Sequence, residues 1–145
     1  MPSRNRTVTL VLLSLSAALL GAPAADSAVA KPFRSDSKRF GNPKMDIVLT
    51  EIDRQARTST VEIQITAIGS SVGSSFFLLC SLRDLARQRG PFRYIVKIEE
   101  HPRHHQMVVG FLNGPNEEPA RIDPRLAGQP VIDLDHFAPI CDKMP

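Results

Sequence analysis

The sequence contains no tryptophan, a single tyrosine (Tyr94) and only two cysteines, Cys80 and Cys141. Without Trp and with one Tyr, it lacks the aromatic platform on which carbohydrates and bases stack, although Phe92 and Phe111 remain available. Two distant cysteines make no CxxC redox motif. Long apolar runs are also missing. The longest, Thr7 to Leu20 (TVTLVLLSLSAALL), falls short of the roughly 20 residues a membrane-spanning helix needs, and Gly21 and Pro23 end it. Nor is there a strong excess of one charge. Of 18 Lys plus Arg and 15 Asp plus Glu, only Arg4, Arg6 and Asp26 precede residue 31, so residues 31–145 carry about +2. That balance, with the missing platform, argues against nucleic acid as a partner.

The N-terminal stretch has the composition of an export signal. Arg4 and Arg6 supply a positive start, the apolar run follows, and Ala22-Pro23-Ala24 and Ala28-Val29-Ala30 each present the small-x-small pattern of a cleavage site. Residues 1–30 are therefore expected to be a signal peptide, cut after Ala24 or Ala30. No Cys lies near either site to receive a lipid, and the separated arginines are not a twin-arginine signal. The expectation is a secreted or periplasmic product with no stable membrane anchor. In such a compartment Cys80 and Cys141 can pair.

Residues 31–44 hold Lys31, Arg34, Lys38, Arg39 and Lys44 against Asp36, with Pro32 and Pro43 and no apolar period. They read as a basic, flexible arm. The folded part is expected over 45–145. Asp46 to Asp53 is rich in β-branched and aliphatic residues, and Val61, Ile63, Ile65 and Ala67 alternate with polar residues, which predicts two strands joined as a hairpin. Serines in GSSVGSS (Gly69 to Ser75) offer helix caps, and Gly90-Pro91 supplies a stop, so Phe76 to Arg89 is expected to be helical. Its apolar side combines Phe76, Leu78, Leu79, Leu82, Leu85 and Ala86, with Ser81, Asp84, Arg87 and Gln88 mainly opposite. Phe92 to Glu100 and Gln106 to Leu112 predict a second hairpin across HPRHH. Six prolines follow between Asn113 and Pro145, with one short strand candidate at Val131 to Leu134. The whole reads as α+β: a small two-layer sandwich, β-β-α-β-β, with one helix on an antiparallel sheet and a C-terminal tail stapled through Cys141.

Three constellations carry candidate chemistry. Gly69-Ser70-Ser71-Val72-Gly73 matches G-x-S-x-G between a strand and a helix, and His136 follows Asp133 and Asp135, the chain order of a serine hydrolase with Ser71 as nucleophile. Against it stand the hairpin-like strands and the short chain, which cannot supply that fold's parallel sheet. His101, His104 and His105, preceded by Glu99 and Glu100, cluster in a turn where imidazoles can hold zinc or copper, although Pro102 and Arg103 interrupt them. The serine-rich loop itself lacks the Lys of a nucleotide-binding P-loop, and no cofactor is expected.

VEIQITAIG, SSFFLLCSLRDLARQRG and FRYIVKIEE together resemble the strand-helix-strand core of small bacterial envelope proteins and lipoproteins of unknown function. The resemblance implies an envelope location and no activity, and the missing lipidated Cys sets this chain apart from the lipoproteins. The functional expectation is an exported, non-enzymatic domain that binds or supports an envelope component or protein partner. The alternatives are a metal-binding His hairpin and a small serine hydrolase.

Overall fold

Strand-forming segments rich in Ile, Val and Thr dominate the computed structural model, which describes residues 31–144. The strands are β1 (Arg34–Asp36), β2 (Asp46–Arg54), β3 (Thr58–Ala67), β4 (Tyr94–Glu99), β5 (Gln106–Leu112) and β6 (Ile132–Asp133). They form one antiparallel sheet in the order β1-β2-β3-β5-β4-β6. Helix α1 (Ser71–Arg89) connects β3 to β4, and a second, short helix, α2 (Ala138–Cys141), lies in the tail. The fold is thus the expected small α+β arrangement, with both expected hairpins. It has six strands instead of four and a second helical turn. The expected signal peptide lies outside the described residues. Among the described residues, no helix is long and apolar enough to cross a membrane.

Alternation in β2, β3, β4 and β5 builds the main core. Leu49, Val61, Ile95, Met107, Val109 and Phe111 point to the side on which Leu82, Leu85 and Ala86 of α1 pack. The other side of the β4–β5 pair is also buried. Val96, Val108 and Leu112 meet Leu126 from the tail, so β5 (QMVVGFL) is apolar on both faces. Gly110 permits this second layer. A Cβ there would stand 2.4 Å from Leu126 Cδ1, so a larger residue would force Leu126 to shift. Leu134, completely buried, and the Cys80–Cys141 disulfide then fix the rest of the tail against α1 and the sheet edge.

The expectation of a flexible basic arm over 31–44 is corrected. Arg34, Ser35 and Asp36 pair with Thr50, Leu49 and Val48 as β1, and Ser37–Phe40 forms a 3-10 turn. Polar groups hold this segment. Ser35 and Ser81 hydroxyls bond at 2.8 Å, and the buried Ser37 hydroxyl donates to the Met45 carbonyl at 3.2 Å while accepting from the Ile47 amide at 2.8 Å. These hydrogen bonds offset the desolvation cost of burying the hydroxyls. The same contact corrects the helix face. Ser81, expected opposite the apolar side, is buried beneath β1, and Phe77 is completely buried where Phe76 is only half-buried.

A bulge in β2 places one charge in the interior. Glu51 pairs with Val61 but Asp53 pairs with Thr60, so Ile52 is extra and turns outward. Glu51, with its side chain 2% exposed, accepts hydrogen bonds from Ser59 Oγ (2.6 Å), Arg54 Nε (3.0 Å) and the Phe33 amide (3.3 Å), and Arg89 Nη1 lies 3.6 Å away. Burial works to raise its carboxyl pKa, but the bonds from Arg54, Ser59 and Phe33 outweigh burial and hold it below the usual range. This network ties the start of the described chain, the β2–β3 hairpin and the end of α1 together.

Candidate functional site

The β4–β5 connection carries the most concentrated set of metal-ligating side chains among the described residues. Six residues, Glu100 to His105, link Glu99 to Gln106, closed by His101 N–H to the Gln106 carbonyl (2.9 Å) and Gln106 N–H to the Arg103 carbonyl (3.0 Å). Glu100 and His105 both occupy the left-handed region, with φ of 53° and 60°. Non-glycine residues rarely stand there. The two reversals at opposite ends of the loop bring Glu100 back across it, where its carboxylate accepts the His105 amide at 3.1 Å and contacts His104 Nδ1.

One ligand atom each from Glu100, His104 and His105 lies within 4.8 Å of the other two. The imidazole rings of His104 and His105 stand 3.7 Å apart between centroids. Zinc holds His nitrogens and carboxylate oxygens at about 2.0–2.2 Å, so bound ligand atoms sit roughly 3 Å from one another. Side-chain rotations at an exposed loop can close that remaining gap. The Glu100 carboxyl is held below the usual carboxylate range, first by the His105 amide and further by the His104 side chain. An ionised carboxylate and two imidazoles form a borderline-hard set that suits zinc or copper and leaves further coordination positions open.

The expected histidine trio is only partly brought together. His104 and His105 converge, whereas His101 is not part of the cluster. The Asp123 carboxyl is lowered chiefly by Arg125, with a small contribution from His101. Glu100 takes the third place, and Glu99 is drawn away by an ion pair with Lys97. The sequence placed both glutamates beside the histidines, but it carried no sign of which would turn inward. The positive φ at Glu100 decides that, and a glutamate gives no warning of it as a glycine does.

The serine constellation is arranged differently. Ser70 caps α1, its hydroxyl accepting from the Gly73 amide at 3.0 Å, and Ser71 is the first helical residue. The Ser71 carbonyl accepts from the Ser74 and Ser75 hydroxyls at 3.1 and 2.8 Å. His136 lies in the 3-10 turn after β6, with Nδ1 3.9 Å from Asp133. Among the described residues, no hydrogen bond joins Ser71 to His136, Asp133 or Asp135. Ser70 is the helix cap, and Ser74 and Ser75 bond back within the first turn.

No family model, curated protein or solved structure matches this chain. Its functional reading therefore rests on the residues and their geometry.

Proposed function

We propose that this protein is an exported, non-enzymatic binding domain that holds a transition-metal ion, zinc or copper, at the tip of its β4–β5 hairpin. One observation carries the reading: Glu100, His104 and His105 present their ligand atoms within 4.8 Å of one another on a loop folded back by two left-handed residues. Export is supported by the basic and apolar leader with its small-x-small sites, and by a disulfide of the kind that persists in oxidising compartments. A metal bound at an exposed tip keeps open positions, so a protein or envelope component bearing its own donor group can complete the coordination.

The test is metal content after loading with zinc or copper(II) and desalting. The expected result is one ion per chain. Replacing both His104 and His105 by Ala should remove it, Glu100→Gln should weaken it, and His101→Ala should leave it unchanged. Full metal content in the double-histidine variant would overturn the assignment. Export is read separately, from cell fractionation and the N-terminal mass, which should correspond to cleavage after Ala24 or Ala30.

A further inference from the structure

Away from the residues of the hairpin tip, the 31–40 segment, the outer side of α1 and the tail around Cys141 and Asp142 line two adjoining open clefts, each about 410 Å³, that share Arg39. Cys80, Arg83, Asp84, Arg87 and Gln88 fall along one stripe of α1 at helical spacing and form the floor. Because β1 and the following turn are folded, Lys31, Arg34 and Arg39 are held along this stripe. The charge along the groove is not balanced. Arg34 pairs with Asp36 at 3.7 Å and Arg83 with Asp142 at 2.7 Å, which leaves Asp84 alone to offset Lys31, Arg39 and Arg87. Among the described residues, none of these three cations has a carboxylate oxygen within 4.0 Å.

Arg83 places a largely buried guanidinium in the groove wall. Its side chain is only 6% exposed, Nη1 is committed to Asp142, and Nε is buried without any hydrogen-bond partner. Arg89 Nη1, away from the groove, is buried without a hydrogen-bond partner in the same way, so what sets the groove apart is its exposed cations without carboxylate partners, Lys31, Arg39 and Arg87. Four of the five cations in the groove are arginines, whose planar forks match phosphate oxygens in pairs.

We infer that this groove is a binding site for an elongated, multiply charged phosphate compound, with Arg39 at its centre and Lys31 and Arg87 towards its two ends. The inference uses none of the metal-ligating residues and stands or falls independently of the hairpin. Two clefts that meet at Arg39 suit a chain of phosphates better than a single ion, which would engage only one of them.

The experiment measures binding of short-chain linear polyphosphate to the purified protein by calorimetry, with orthophosphate and phosphatidylglycerol vesicles as separate arms. The expected result is saturable polyphosphate binding that weakens as salt rises, with orthophosphate binding much weaker. Arg39→Glu combined with Arg87→Glu should weaken polyphosphate binding by about tenfold or more, the scale of losing charge-assisted contacts. Both side chains are exposed, so the fold should survive. Arg103→Glu combined with Arg121→Glu changes net charge equally outside the groove and should leave affinity nearly unchanged. Vesicles that compete with polyphosphate, and lose this ability in the groove variant, would identify the phosphate as a lipid headgroup at the same site. Equal losses in the two double variants, or no polyphosphate binding by the parent protein, would overturn the inference.

Discussion

Replacing Cys80 and Cys141 together by Ala should cost the protein about 4 kcal/mol of stability, almost all of it through the unfolded chain. The disulfide joins residues 61 positions apart, and chain-entropy arguments give about 4 kcal/mol at 25 °C for a closed loop of that length. The native state should change little by comparison. The tail is independently held by Leu134 in the core, by Leu126 over Gly110, by the pairing of β6 with β4 and by Arg83 with Asp142. Urea unfolding followed by tryptophan-independent probes, such as far-UV circular dichroism, gives both the midpoint and the slope. The midpoint should fall, and the slope should rise because the unlinked unfolded chain exposes more surface. Hydrogen exchange should show protection in β6 and α2 retained under native conditions. A loss below about 1 kcal/mol, or fraying of residues 131–144 with global stability unchanged, would refute the reasoning.

Gly110 and Leu126 should be energetically coupled. Gly110→Ala should cost about 1–3 kcal/mol by overpacking and Leu126→Ala about 2–5 kcal/mol by cavity formation. The double variant should cost clearly less than the sum, because the new methyl enters the space Leu126 leaves; additive urea midpoints would contradict the contact. Glu51→Gln should cost about 3–5 kcal/mol, since it strips the counter-charge from Arg89 and Arg54, and the loss should be read by the same unfolding assay. Asp133, bonded to Arg93, has its carboxyl lowered to about 2 from 3.8. A depressed folded value stabilises above the unfolded one and is lost as pH falls through the folded one, so Asp133→Asn should differ from the parent protein at neutral pH and converge with it below pH 2.

The parts of the fold legible in the sequence were those in which apolar period and turn chemistry agree. Val61, Ile63 and Ile65 alternate, Gly90-Pro91 stops α1, and Gln106 to Leu112 is β5 as observed. The helix begins five residues earlier than expected, at Ser71, because serines whose hydroxyls bond back to the Ser71 carbonyl can occupy a first turn without apolar residues. β1 left no readable trace. Arg34, Ser35 and Asp36 have no apolar pattern, and their strand exists because its edge pairs with β2 and its serine meets Ser81 across 46 positions. Such a pairing is tertiary and invisible to local pattern. The cysteine pair was expected from the export-like leader, and Cys80 and Cys141 are joined. In the candidate site, the histidines were legible as residue types, while the inclusion of Glu100 and the departure of His101 depend on backbone reversals that no residue in HPRHH announces.

X-ray absorption spectroscopy on the zinc-loaded protein tests the central claim most directly, because it counts and identifies the ligand atoms themselves. The account predicts a first shell of nitrogen and oxygen only, at about 2.0–2.2 Å, with the multiple-scattering signature of two imidazoles. The imidazole signature should vanish when His104 and His105 are replaced. A shell made only of water oxygens, one containing sulfur, or an imidazole signature that survives the double replacement would contradict it.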